Sequence, residues 1–287
     1  MNYPSSELVL NANGQVYHLG LSPDQIANNV ILVGDQDRVG MISSFFDKID
    51  HQSQHREFTC HTGWYKGKHI SALSTGIGTD NLDITINELD VLVNVDLVKR
   101  EDFTKHTSLN LVRIGTCGIL QAEIPVHSYL LSSHAYGLDN IAHFYDVKFS
   151  EEEENLNAII DKHLDLPTKI KPYFISANKE LLTKMRSEKT FEGITVTSSG
   201  FYAPQGRKLR LPLATENLNE KLGDFNFNGL KINNFEMESS ALFFLSKALG
   251  HKATTICLGI ANRPKMEFSK GYTNEMNELI VYVLDRI

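Results

Sequence analysis

The chain has 287 residues, of which 41% are hydrophobic and 22% charged, and it carries a net charge of −7 at neutral pH. That length supports one large core, and the acidic balance argues against a protein that coats a nucleic-acid backbone, so any phosphate it binds must be held locally. No apolar run approaches the roughly 18 residues of a membrane-spanning helix.

Cys60, Cys117 and Cys257 follow neither a pairing pattern nor a metal-finger spacing, which points to a reducing compartment. The first residues lack a charged stretch followed by a long apolar core, so the expectation is no export signal and a cytoplasmic location. There are no repeats, low-complexity tracts or linkers, and residues 1–287 read as one domain.

His18-Leu19-Gly20-Leu21 precedes a helix-start signal at Ser22-Pro23-Asp24. Nothing intrinsic marks His18 as functional. Val30-Ile31-Leu32-Val33 reads as a buried strand, broken by Gly34-Asp35-Gln36-Asp37-Arg38 and followed by helical periodicity through Phe46. A strand, a glycine turn and a helix start with an arginine is one way to present an anion with donors. Residues 55–75 read as a meander in which Arg56 and Glu57 form a surface ion pair, and a helix is expected from about Asp80 to Val98.

The pivotal stretch is the apolar strand Leu109–Ile114, which ends in Arg113-Ile114-Gly115-Thr116-Cys117-Gly118. A cation, a hydroxyl and unobstructed backbone N–H groups around one small volume can hold an oxyanion, although a strand-end arginine beside an ordinary glycine turn reads equally well. Ser128–Ser133 is the next strand, and the four glutamates that open the helix Glu151–Leu164 read as a solvated face.

Strands at Phe174–Ser176 and Ile194–Ser198 flank a helix from Lys179 to Arg186. Phe201-Tyr202-Ala203-Pro204-Gln205-Gly206-Arg207 then offers a stacking face, an amide and a cation, which suit the edge of a flat heterocycle or a packed surface turn. Glu236-Met237-Glu238 leads into a helix running to Leu249, with Gly250 as its cap. Glu238 there could serve the helix dipole or accept bonds from vicinal hydroxyls. Thr254–Ile260 is the last strand, Asn262-Arg263-Pro264 follows, and a closing helix spans Phe268–Ile287.

Alternating strands and helices predict an α/β fold with a largely parallel or mixed sheet. Ligands in such sheets gather at the carboxyl ends of strands, where Arg38, Thr116, Gln205, Glu238 and Arg263 all fall.

Together, His18-Leu19-Gly20-Leu21, Gly34-Asp35 with Arg38, His55-Arg56-Glu57-Phe58, Ser74-Thr75-Gly76-Ile77-Gly78, Arg113-Ile114-Gly115-Thr116, Phe201-Tyr202 with Gln205 and Arg207, and Glu236-Met237-Glu238-Ser239 resemble the uridine phosphorylases of the type I nucleoside phosphorylase superfamily. The resemblance implies a single α/β domain around a distorted mixed sheet flanked by helices. Gly34, Arg38, Arg113 and Thr116 would hold phosphate, with Arg56 from a neighbouring subunit. Met237, Glu238 and Thr116 would hold ribose, with His18 of a partner chain at the 5′-hydroxyl. Phe201, Gln205, Arg207, Ile260 and Arg263 would hold the base.

The implied reaction is reversible phosphorolysis of uridine to uracil and ribose 1-phosphate, in which Arg113, Glu238, Gln205 and Arg207 act electrostatically. Phosphate is then a co-substrate, with no cofactor and no catalytic metal, and the protein is a homo-oligomer, dimer or hexamer. Some bacterial members hold a monovalent cation near the positions of Glu57 and Thr79-Asp80-Asn81. The departure of that turn from the usual pattern leaves the ion open here, as Gln36 and Cys117 depart at two other places. Purine phosphorolysis on the same scaffold fits less well, because Gly200 follows Ser198-Ser199 where the purine enzymes commonly carry an aspartate. A nucleosidase would not need the arginines, and a non-catalytic nucleoside binder remains a further alternative.

Overall fold

In a computed structural model describing residues 2–287, strand β1 (Asn29–Val33) passes through a sharp turn into helix α1 (Gln36–Ser43). Asp35 ends the strand and caps the helix, its side chain accepting from the Asp37 N–H at 3.0 Å. A meander of β2 (Lys48–His55), β3 (Phe58–Tyr65) and β4 (Lys68–Ser74) follows, then α2 (Thr79–Asn94). A short ribbon, β5 (Val95–Asp96) with β6 (Glu101–Asp102), takes the place of the last expected turn of α2 and leads to β7 (Asn110–Ile119).

The second half holds β8 (Tyr129–Gly137), α3 (Glu151–Leu164), β9 (Tyr173–Ser176), α4 (Lys179–Met185) and β10 (Thr190–Thr197). Beyond them come α5 (Leu218–Gly223), β11 (Asn226–Phe227), β12 (Leu230–Glu236), α6 (Ser239–Ala248), β13 (Lys252–Asn262), β14 (Glu267–Phe268) and α7 (Thr273–Leu284). The closing helix therefore starts later than its apolar pattern suggests, because Phe268 is used in a hairpin with β13 instead.

The strands run in the order β11-β12-β10-β8-β13-β7-β1-β4-β3-β2, and β12 pairs again with β7. That second pairing closes β12, β10, β8, β13 and β7 into a ring and bends the sheet. Strands β7, β13, β1 and β4 run parallel to one another, whereas β8, β10 and β12 run the opposite way. The antiparallel join pairs Phe235 with Gly118 and Asn234 with Ile119. Two opposed sets of strand ends thus meet at one place, and the polar groups expected at equivalent ends of parallel strands arrive from both directions.

Helices cover both faces. Leu82, Ile86, Leu89 and Leu92 of α2 repeat at helical spacing and pack in one core with Ala241–Leu245 of α6, which is buried on every side. Truncating one such leucine to alanine costs about 2–5 kcal/mol. On the other face, Val39 and Ile42 of α1 join Leu181 and Met185 of α4 and Leu279, Ile280 and Val283 of α7. The acidic start of α3 is not wholly solvated: Glu153 is buried, completes a capping box with Ser150, and bonds Lys247 Nζ at 2.8 Å.

Candidate active site

A cavity of about 650 Å³ opens where the two sets of strand ends meet. Of the side chains singled out from the sequence, Gly34, Arg38, Arg113, Thr116, Phe201, Gln205, Arg207, Met237, Glu238 and Ile260 line it. A wider groove of about 850 Å³ along α7 has Glu188, Lys189, Asp285 and Arg286 in its wall, but none of these charges is buried. Ionised groups held away from water mark a site more strongly than volume does.

At one end stand Arg38, in the first turns of α1, and Arg113, in the middle of β7 between Leu32 of β1 and Thr255 of β13. Both are buried. Arg38 Nη1 makes only a long contact of 3.4 Å to the Ile114 carbonyl. Burial, and then the nearby charge of Arg113, hold the Arg38 pKa below the usual arginine range. A cation held in that state is poised for an anion.

Arg113 is engaged differently. Its Nη2 donates to Glu238, and its Nη1 lies 3.3 Å from a Glu236 carboxylate oxygen, while Nε is buried without a partner. Burial alone would weaken its charge, but Glu238 and Glu236 more than offset that and raise its pKa. Arg113, expected as one of three phosphate cations, is thus also the centre of a buried charge triad with Glu236 and Glu238. Gly115 makes this possible: a Cβ there would lie 2.1 Å from Arg113 Nη1.

Glu238 closes β12 into α6. Besides Arg113, it accepts from the Gly78 N–H at 2.9 Å and the Met237 N–H at 3.3 Å. Gly78, with φ of 100°, takes a backbone conformation that favours glycine, and so aims its N–H at the carboxylate. Burial, with help from Glu236, raises the Glu238 pKa. A carboxylate offers about four acceptor positions, and these three donors leave room for a ligand hydroxyl.

Glu236 is the site residue that the sequence left without a role. It accepts from the Glu238 and Ser239 N–H groups at 3.0 Å and from Thr197 Oγ1 at 2.7 Å. In this way it caps the buried helix and fixes the level of Arg113. Its place one side-chain period before Glu238 was the available signal. Tyr272 and Phe268 also line the cavity, brought there by α7 and the final hairpin; their residue types carry no comparable signal.

The loop after β10 lines the same cavity. Gln205 is buried, and its Oε1 accepts from Arg207 Nη1 at 2.6 Å, which leaves the Gln205 amide N–H groups for a ligand. The Arg207 guanidinium lies 3.8 Å over the Phe201 ring, a cation–π contact that fixes its plane. Burial and the charge of Arg263 push the Arg207 pKa down to about 10.

Three expected residues lie off the cavity lining. Arg263 sits one layer back, with its aliphatic stem 3.8 Å from where a Gly118 side chain would begin. Arg56 is exposed on the turn between β2 and β3. It forms no ion pair with Glu57; instead it covers the Tyr17 ring at 5.2 Å and donates to the Tyr17 hydroxyl at 3.4 Å. The Arg56 backbone, at φ of 55°, turns the side chain away from Glu57. His18 is half-buried near the surface, and its Nδ1 lies 2.6 Å from Glu88.

A separate cluster, Asp90, His106 and His251, gathers potential metal donors within 4.8 Å. The His251 Nδ1 already accepts the Leu109 N–H at 3.1 Å, so the ring proton belongs on Nε2, which lies 3.1 Å from Asp90 but outside hydrogen-bonding geometry. A metal at that nitrogen would have to displace this proton. The cluster is therefore better suited to tying α2 to the start of β13.

The family model described as the phosphorylase superfamily matches residues 29–283. A uridine phosphorylase of Thermococcus kodakarensis is 29% identical over 276 residues, covering 95% of this chain and 87% of that protein. A DeoD-type purine nucleoside phosphorylase of Alkaliphilus metalliredigens is 27% identical over 246 residues, covering 83% and 84%. Among solved structures, a Trypanosoma brucei nucleoside phosphorylase described as showing uridine phosphorylase activity superposes with a TM-score of 0.89 at 27% identity, over 98% of this chain and 100% of that one.

Proposed function

The chain belongs to the phosphorylase superfamily, and on that premise we propose that it catalyses the reversible phosphorolysis of uridine to uracil and ribose 1-phosphate. The observation that carries the reading is that two devices line one cavity: the Arg38–Arg113 pair with Thr116 and Glu238, and the set Phe201, Gln205 and Arg207. An anion-holding set, a heterocycle-holding set and a carboxylate lining one cavity suit phosphate, base and sugar respectively.

In this reading phosphate lies against Arg38, Gly34, Thr116 and Arg113 and attacks C1′ from the face opposite the base. The C1′–N1 bond breaks with its electron pair moving to the base, and a C1′–O bond to phosphate forms. Positive charge grows on the sugar and negative charge on the base, so catalysis is electrostatic. Glu238 fixes the ribose hydroxyls beside Met237. The amide of Gln205 and the cation of Arg207 stabilise the departing base to the extent that their bonds strengthen as charge develops.

Arg56 and His18 act, on the same reading, in the site of a neighbouring subunit, which makes the enzyme a homo-oligomer. No helix of the described residues is long and apolar enough to cross a membrane. Three buried, unpaired cysteines suit a cytoplasmic place of action.

The purine alternative is weakened by Gly200, whose backbone offers no carboxylate to hold a purine ring nitrogen. Ultraviolet assay of nucleoside loss with and without phosphate tests the reading. Loss of uridine that requires phosphate supports it. Phosphate-independent loss, exclusive cleavage of purine nucleosides, or binding without turnover would each overturn it.

A further inference from the structure

Asn219, on helix α5, lies outside the cavity wall yet bridges two parts of its base end. With its amide oriented so that both polar atoms find partners, Nδ2 donates to the Gln205 carbonyl at 3.2 Å and Oδ1 accepts from Arg263 Nη2 at 2.9 Å. The contact is close: a Cβ on Gly206 would meet the Asn219 amide at 3.0 Å. We propose that Asn219 is a positioning residue for the leaving base, coupling the Gln205–Arg207 loop to Arg263 so that two guanidinium groups stand together behind the heterocycle. The inference rests on the phosphorolysis reading of the site.

Three observations carry it. Neither Arg207 nor Arg263 forms an ion pair among the described residues. Arg263 Nη1 is buried without a partner, so Asn219 supplies this guanidinium with its side-chain acceptor. Burial, and then the charge of Arg263, hold the Arg207 pKa down, so Arg207 is near enough to feel the second guanidinium.

Paired cations without a carboxylate are unfavourable in the empty site and favourable once negative charge forms nearby, which makes them selective for the transition state. An amide oxygen orients Arg263 while leaving its charge intact. An aspartate in the same place would orient it and cancel the charge. Asparagine is thus the side chain that does the first without the second, and its nitrogen ties the same unit to Gln205.

The test compares Asn219→Ala and Asn219→Asp with the parent enzyme, using uridine and 5-fluorouridine with phosphate. The fluorinated base leaves as the weaker base and leans less on the cations. For either variant, kcat/KM for uridine should fall by about tenfold or more, the equivalent of one charge-assisted hydrogen bond, and that for 5-fluorouridine by about threefold or less, with KM for phosphate unchanged. Rates within about twofold of the parent, equal losses for both nucleosides, or a shifted phosphate KM would overturn the proposal.

A merely structural role would lower both substrates together. Should Asn219→Ala not fold, Asn219→Asp, which keeps the shape, decides alone. A parent enzyme without phosphate-dependent uridine cleavage would overturn the functional reading itself, before any variant is made.

Discussion

Replacing Arg38 by methionine separates anion binding from stability. Arg38 is buried, forms no ion pair among the described residues, and is disfavoured as a cation first by burial and then by Arg113. Methionine fills similar space without a charge, and exchanging a poorly compensated buried ion for an apolar side chain is commonly neutral or stabilising. In phosphate-free buffer Arg38→Met should therefore melt at or above the parent temperature.

Phosphate reverses the ranking. A ligand at 100 times its Kd adds about 2.7 kcal/mol to the parent. At roughly 2–4 °C per kcal/mol for a chain of this size, its Tm rises by about 5–10 °C. The variant should lose most of that rise. Thermal denaturation across a phosphate titration reads both effects. A variant destabilised by more than about 2 kcal/mol without phosphate would refute the unfavourable-cation argument, and a retained phosphate shift would move the anion elsewhere.

Gly115→Ala places a methyl group where Arg113 Nη1 lies, and displacing that guanidinium should lower kcat/KM by about 100-fold in the uridine assay. Arg113→Ala leaves Glu236 and Glu238 buried without their cation; we expect a loss of about 3–5 kcal/mol in denaturant unfolding together with loss of phosphate-dependent turnover, and near-normal activity would count against the site. Burial opposes the charge of Glu153, but Lys247 and the Ser150 and Ser176 N–H groups hold its carboxyl down at about 2. A depressed carboxylate stabilises above its unfolded value of about 4.3, and that contribution drains away as pH falls toward 2. The parent Tm should thus drop more steeply through this window than that of Glu153→Gln, and equal slopes would refute the assignment.

Much of this molecule is legible in the sequence because its signals are local. Val30–Val33 and the run before Arg113 read as buried strands since nearly all their side chains meet other apolar groups. The capping serine and glutamate of α3 bound that helix at both the sequence and the structural level. What escaped depends on contacts between distant segments. Nothing near Glu153 announces Lys247, so a run of glutamates reads as solvated although its third member is buried. Glu236 is invisible as a partner of Arg113 until β12 pairs antiparallel with β7, a join that no periodicity encodes. Asn219 on a six-residue helix has the look of an ordinary surface residue. The resemblance puts Arg263 in the pocket wall, but the turn after β13 leaves it off the cavity lining, behind Gly118.

The formal charges explain why the reading requires more than one chain. Arg38 and Arg113 bring two positive charges to the anion end, and Glu236 and Glu238 bring two negative charges. With Asp35 and Asp37 also lining the cavity, that end has no excess of positive charge before a phosphate dianion arrives, and the contacts of Arg113 are largely directed at carboxylates. A dianion taken out of water into such a place needs a further cation to offset its desolvation. Arg56 is a cation with no use in its own cavity, presented on a tight turn and braced by Tyr17. An Arg56 contributed by a second copy would add a positive charge at the anion end. His18, with its ring held by Glu88 on the same surface region through the His18–His55 contact, would arrive by the same route.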